Sequence, residues 1–319
     1  MKKRVLFLGV LSFFLVSTIL SSWVGLFSTF DPQVFWMLRV PRVICAIAVG
    51  GGLAVAGTLI QAGLANGLAD PFTTGVASAA ALGAVVGTAI QSKIVNNTDF
   101  DLLTPSVFAF IFSLLVLFAL IFWLRKRFRF ATEILLSGTV TGFFCSSLAT
   151  LLMIFLEPST WFSAVNWLLG SFKILDIRQS VIVFSLVLAS SFLSLLYWKQ
   201  LDLLAVDELS AESAGVDVAV LRKKIFILVA WSTAVSVSVA GVIGFLGLLV
   251  PHFLRGLGIH SHRHLIPLSF LLGGGFLNIS DLVAREVLYP SEIPVGVVMS
   301  VVGAPIFLIL LRKRRGELR

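Results

Sequence analysis

Charged side chains able to do chemistry are few in this chain, and they gather in three places. The first is the stretch 198–224, WKQLDLLAVDELSAESAGVDVAVLRKK, which carries Asp202, Asp207, Glu208, Glu212 and Asp217 and ends on Arg222, Lys223 and Lys224. The second is a set of histidines, His252, His260, His262 and His264, beside Arg255 and Arg263. The third is Arg39 and Arg42, on either side of Pro41, with Asp281, Arg285 and Glu286 far downstream. Carboxylates suit acid–base work, imidazoles suit metal binding, and adjacent guanidinium forks suit recognition of a carboxylate. None of these sets completes a catalytic constellation. No cysteine or acid flanks the histidines, which read as loop polarity, and no G-x-x-x-x-G-K-[ST] loop supplies a phosphate cradle. The apolar runs contain no set of nucleophile, base and orienter, which argues against an integral membrane enzyme. A carrier driven by protons needs a buried carboxylate without a fixed cation beside it, whereas Asp281 has Arg285 one turn away. Energy must therefore come from elsewhere.

The elements that position these groups are membrane spans. Hydrophobic residues make up 58% of the chain and mean hydropathy is +1.03, far above a soluble domain, so the chain is an all-α polytopic membrane protein. The net charge of +8 resides in short clusters at the ends of apolar runs, where topology explains it better than nucleic acid does. Cys45 and Cys145 each lie inside an apolar run and read as free thiols.

Apolar runs fall at about 5–27, 38–64, 72–95, 104–124, 131–156, 179–197, 225–243, 246–258, 265–288 and 294–311. The first comes after Lys2, Lys3 and Arg4 without a cleavage pattern and reads as an uncleaved span. Counting the short run 246–258 as a crossing places that first cluster, 125–129, 222–224, Arg255 with Arg263, and 312–315 on one side, as the positive-inside rule requires. This count gives ten spans with both termini in the cytoplasm. The outer side then receives Asp99, Asp101, the stretch 157–178 with Trp161 and Trp167, and 289–292. Leu53–Gly57 echoes Val237–Gly241, and each precedes a proline that opens the next segment, Pro71 and Pro251. Spans two to five repeated as seven to ten would form an inverted repeat, the architecture of an alternating-access carrier.

Two positions admit more than one reading. Residues 198–224 cannot lie in hydrocarbon, so they project into water either as a solvated loop or as a docking surface with a short helix and a turn at Gly215. Arg39 and Arg42 meet either lipid headgroups or a protein partner, and Arg285 meets either Asp281 or that same partner.

Ordered motifs point to a family. Leu38-Arg-Val-Pro-Arg42, Gln61 through Leu68-Ala-Asp-Pro71, Trp167-Leu-Leu-Gly-Ser171, Gly244-Phe-Leu-Gly247, Val250-Pro-His252 with Arg255, His262-Arg-His-Leu-Ile-Pro267, Glu292-Ile-Pro-Val-Gly296 and Gly303-Ala-Pro305 occur in sequence. Together they resemble the permease subunit of iron-siderophore, haem and vitamin B12 importers of the ATP-binding-cassette (ABC) class, the FecCD-type, type II importers. The resemblance covers nearly the whole chain as one transmembrane domain, 1–319.

That resemblance implies a multi-pass subunit of the bacterial cytoplasmic membrane, homodimeric, with two copies of a separate ATPase and a soluble or lipid-anchored substrate-binding protein. The chain itself would bind no cofactor or metal; ATP and magnesium would belong to the ATPase. The segment 199–224 would hold the coupling helices, with Leu203, Leu204, Asp207, Glu208, Ala211, Ala214 and Gly215 at the ATPase contact. Arg39, Arg42 and Arg285 would dock the binding protein. A path at the dimer axis would be lined by Ser137, Thr141 and Cys145 on the fifth span and Met299, Ser300 and Gly303 on the tenth. Asn66 and Leu68 would form an inner gate, with Gly67 where the family usually has proline. The default cargo is a ferric siderophore, with haem, cobalamin or molybdate as alternatives.

Overall fold

The computed structural model describes residues 2–24, 31–94, 104–125, 127–172 and 176–317; Asp99, Asp101 and Lys126 lie outside them, as do the side chains at 2–4 and 313–315. Among the described residues every regular element is helical: α1 (Lys2–Trp23), α2 (Pro32–Val34), a π-helical turn at Phe35–Arg39, α3 (Val40–Gly63), a 3₁₀ turn at Pro71–Thr74, α4 (Val76–Ile94), α5 (Thr104–Trp123), α6 (Ala131–Ile154), α7 (Pro158–Leu168), α8 (Ile177–Ser194), a second 3₁₀ turn at Leu195–Tyr197, α9 (Trp198–Leu204), α10 (Glu208–Ser213), α11 (Val218–Ala240), α12 (Leu246–Gly256), α13 (His262–Glu286) and α14 (Val295–Glu317). Six helical stretches among the described residues, beginning at Val5, Pro32, Pro105, Ala131, Ile177 and His262, are both long and apolar enough to cross a membrane.

Contacts sort the chain into two ends. At the basic end, Arg222 reaches the Gly63 carbonyl that closes α3 at 2.9 Å, Arg129 meets Glu212 at 3.4 Å, and Asp202 meets His262 at the start of α13. At the opposite end, Arg42 near the start of α3 meets Asp281 near the close of α13, and Arg285 meets Ser21 near the close of α1. Helices α3 and α13 therefore run antiparallel, and α1 runs alongside α13.

Helix α3 is the axis of the bundle, buried along almost its whole length by α8, α11, α12 and α13. Its glycines permit this. A Cβ on Gly57 would fall 2.0 Å from the carbonyl oxygen of Gly247, and one on Gly50 would fall 2.3 Å from that of Gly273, so both crossings require backbone against backbone. Thr58 and Ser269 share a hydrogen bond of 2.9 Å, and Gln61 Nε2 donates to Gly247 O at 2.9 Å, fixing the register of those contacts.

The short apolar run resolves into α12, which is separate from α11. Its 11 residues rise about 16 Å, half a hydrocarbon core. Residues 241–245, which precede it, are non-helical, with Phe245 at φ +69°. Protein surrounds this irregular backbone: Gly241 lies against Trp167 and Gly170, and Gly296 lies against Val242. One expectation fails here. Pro71 does open its 3₁₀ turn, but Pro251 sits inside α12, where an apolar run interrupted by proline mimics a helix start.

Candidate functional site

The polar segment folds as two short helices at the basic end. Asp207 caps α10 by accepting from Ser210 N at 3.2 Å, Gly215 makes the turn at φ +84°, and Asp217 caps α11 by accepting from Val220 N at 3.0 Å. Leu201, Leu204 and Ala211 are fully buried and seat the segment on the bundle. Leu203, Asp207, Ala214 and Gly215 face outward, and so do two large apolar side chains, Val206 at 80% and Leu209 at 72% exposure. The seven residues assigned to ATPase contact thus divide. Leu204 and Ala211 anchor the lever from below, and Glu208, half-buried, turns back to pair with Arg222 at 2.8 Å. Sequence reasoning misses Val206; its signal is an apolar side chain at the close of one helix, beside the acidic cap of the next.

Asp202 performs a second anchoring. Ser261 precedes α13 but does not cap it with its own side chain; instead Asp202 accepts from His262 N at 2.7 Å, from Ser261 Oγ at 2.7 Å and pairs with His262 Nδ1 at 2.6 Å. A carboxylate from α9 therefore satisfies the exposed amide end of α13. His262 is buried there and His252 is buried inside α12 against Phe307; among the described residues no three His, Cys, Asp or Glu side chains converge as a metal site.

A cleft of about 480 Å³ opens beside this anchor, lined by Gln61, Asn66, Gly67, Asp202, Arg255 and His260 among others. Asn66 Oδ1 accepts from Leu68 N at 2.9 Å, a tight turn that projects Leu68 into solvent at 59% exposure, while a side chain at Gly67 would meet little but the edge of His252. Asp70 ends the loop, buried, accepting from Phe72 N at 2.8 Å. Burial pushes its carboxyl up to about 6, against the pull of the Phe72 amide.

The opposite end carries a closed ionic network. Arg42 Nε bonds both oxygens of Asp281 at 2.9 and 3.1 Å, and its two terminal nitrogens clasp Glu292 at 3.1 and 2.9 Å. Arg285 shares Asp281 at 3.1 Å and donates to Ser21 O and Oγ at 3.0 and 3.1 Å. Asp281 is fully buried and Arg285 nearly so, whereas Glu292 is half exposed. Of the three arginines assigned to docking, Arg285 faces inward, Arg42 is engaged on both sides, and Arg39 is partly exposed. The sequence reading places Glu292 on the outer side and in a motif but gives it no partner; that partner, Arg42, lies 250 residues away, beyond any local pattern.

The path residues also divide. Ser137 and Thr141 line a cleft of about 640 Å³ with Trp123, Leu136 and Val140. Cys145, 4% exposed, packs among the α4 residues Ala79, Leu82 and Val85 and presents no open wall. On α14, Ser300 is exposed, while Met299 accepts a contact from Ser280 at 2.9 Å and Gly303 abuts Phe245.

The chain belongs to the FecCD transport family, which it matches over residues 5–313. It is 36% identical to the ABC transporter permease protein YvrB of Bacillus subtilis, over 90% of this chain and 82% of that one. It is 32% identical to the vitamin B12 import system permease protein BtuC of Shigella boydii, over 92% and 89%. Among solved structures, an inward-facing metal-chelate-type ABC transporter superposes with a TM-score of 0.85 at 27% identity, covering 98% of this chain and all of that one. PsaBC from Streptococcus pneumoniae in complex with Fab shares the fold, with a TM-score of 0.54 at 18% identity over 90% and 94%. The chain is accordingly an ABC importer permease of the FecCD type, a membrane component without catalytic function of its own.

Proposed function

We propose that this permease works as a homodimer with two copies of a separate ATPase and one substrate-binding protein, moving a bulky metal chelate inward by alternating access. The observation that carries the reading is the segment 198–217: exposed Val206 and Leu209 stand on a lever whose other face is bonded to α11 and α13, with Arg222 of α11 bonded in turn to the end of α3. An isolated loop has no need of such a mount. ATP and magnesium reside on the ATPase, and its closure displaces the lever.

The directions of the helices favour ten crossings with both termini cytoplasmic, the eighth made by the extended residues 241–245 together with α12. The echo of Leu53–Gly57 at Val237–Gly241 supports an inverted repeat of spans two to five and seven to ten. Exposed apolar rows on α6 (Leu136, Val140, Phe143) and α14 (Val301, Leu308) suit a second copy across the path, with Ser137, Thr141 and Ser300 near it and Asn66 and Leu68 at its inner mouth. At the outer end, Arg39 and the Arg42–Glu292 clasp receive the binding protein, Arg285 acting from below through Asp281. For cargo, relatives named for vitamin B12 import put cobalamin beside a ferric siderophore, with haem and molybdate further alternatives.

Inserting a charge at outward Ala214 tests the reading. Ala214→Glu should let ATP hydrolysis continue while uptake stops, in membranes that contain normal amounts of the chain. Unchanged coupling would refute the assignment of the lever.

A further inference from the structure

Arg222 opens the basic cluster 222–224, and its neighbours Lys223 and Lys224 are exposed as surface charges should be. Arg222 is not: it is 3% exposed at the start of α11. A buried cation is costly unless acceptors fill its donors, and here three separate elements supply them. Nε donates to the carbonyl of Gly63, the last residue of α3, at 2.9 Å. Nη1 donates to the carbonyl of Arg129, just before α6. Nη1 and Nη2 clasp the carboxylate of Glu208, in the first turn of α10, at 3.2 and 2.8 Å. Arg129 returns its own side chain to Glu212, one turn further along α10, at 3.4 Å. One carboxylate of the lever, Glu208, is thus bound to the ends of two membrane helices through the planar fork of Arg222, and a second, Glu212, is held by the side chain of Arg129.

The Gly63 carbonyl matters because the next residues, 64–70, form the loop that presents Asn66 and Leu68. That loop is built directly on the end of α3, with Asn66 N donating to Gln61 O at 3.0 Å. We propose that Arg222 is the positioning residue that transmits displacement of α10 to the Asn66–Leu68 loop, through Glu208 on one side and the Gly63 carbonyl on the other. This rests on the reading of α10 as the ATPase contact. A lysine keeps the charge but cannot reach three acceptors lying in the directions of the guanidinium plane. The outer half of the joint, Glu208, is 40% exposed, so it can be altered without opening the core.

The test uses the full complex in proteoliposomes, with the permease, its ATPase and its binding protein, and reads cargo delivered per ATP hydrolysed. A spin label at position 68 reports movement of the loop when ATP binds. Arg222→Lys should lower cargo per ATP about tenfold, as expected for loss of a charge-assisted hydrogen bond. ATP hydrolysis should continue and the label at 68 should cease to move. Glu208→Gln, which leaves Arg222 on Gly63 and Arg129, should lower the ratio in the same direction and serves if Arg222→Lys does not assemble. The exchange Glu208→Arg with Arg222→Glu should fail to restore it, because the carbonyls then face a carboxylate. A merely structural Arg222 would lower uptake and hydrolysis together at a constant ratio with the label still moving, and that result overturns the proposal. Ala214→Glu separates the two failures. If it uncouples while both Arg222→Lys and Glu208→Gln preserve the ratio, only the transmission role falls; if it too is silent, the lever reading falls with it.

Discussion

Arg42 holds two carboxylates with one guanidinium, and the two should differ sharply in what their loss does. Asp281 is fully buried and shared with Arg285, whose side chain is only 6% exposed. Asp281→Asn leaves Arg285 with Ser21 and the backbone carbonyl of residue 281 as polar contacts but no compensating charge, a situation that costs about 3–5 kcal/mol when one member of a buried pair is removed. Glu292 is 52% exposed, and losing a solvent-screened partner costs at most about 1 kcal/mol. Thermal unfolding of the detergent-solubilised chain should therefore fall steeply for Asp281→Asn and hardly at all for Glu292→Gln. Docking should move the other way. Glu292→Gln raises the formal charge of the cluster Arg39, Arg42, Asp281, Arg285 and Glu292 from +1 to +2 and leaves half of the Arg42 fork open. Association of an acidic binding-protein surface should then accelerate, most at low salt, where screening is weakest. Equal destabilisation by both variants would refute the burial argument, and slower association for Glu292→Gln would refute the docking one.

Three further substitutions test the packing and the inner loop. Gly57→Ala places a methyl 2.0 Å from the Gly247 oxygen, where backbone must shift; a loss of about 3 kcal/mol, the upper part of the range for overpacking, should appear in unfolding. Gly256→Ala, at the end of α12 with no atom within 4 Å, should be neutral or slightly stabilising. Asp70 predicts a pH dependence: its carboxyl is raised to about 6 from an ordinary 3.8, so the folded state binds the proton more tightly than the unfolded chain. Its contribution is fully present below about pH 4 and is lost as pH rises through about 6, a swing of up to roughly 3 kcal/mol. Asp70→Asn keeps the acceptor for Phe72 N and should abolish that slope between pH 4 and 7.

Much of the fold was legible because hydrocarbon imposes a length on any apolar run that crosses it, and the runs at 131–156 and 265–288 became α6 and α13 with little change. The polar segment that forms α9 and α10 was legible for the opposite reason, since Asp207, Glu208, Glu212 and Asp217 cannot enter lipid. What remained hidden were pairings across the bundle. Arg222 looks like its neighbours Lys223 and Lys224 until its acceptors, 159 and 93 residues away, fold onto it. Asp202 looks like lever surface until it caps α13, and Cys145 shares a helical stripe with Ser137 and Thr141 yet rotates into α4. Periodicity assigns a residue to a face; only the neighbouring helix decides whether that face is open.

The central claim is that ATP, hydrolysed on another chain, drives a metal chelate through this one. Uptake of cobalamin, a ferric siderophore, haem and molybdate into proteoliposomes containing the chain, its ATPase and its binding protein measures it directly. The account predicts accumulation of one of these cargoes that requires all three proteins and stops when the ATPase is made unable to hydrolyse ATP. Accumulation that persists without the ATPase, driven by an ion gradient, would contradict it.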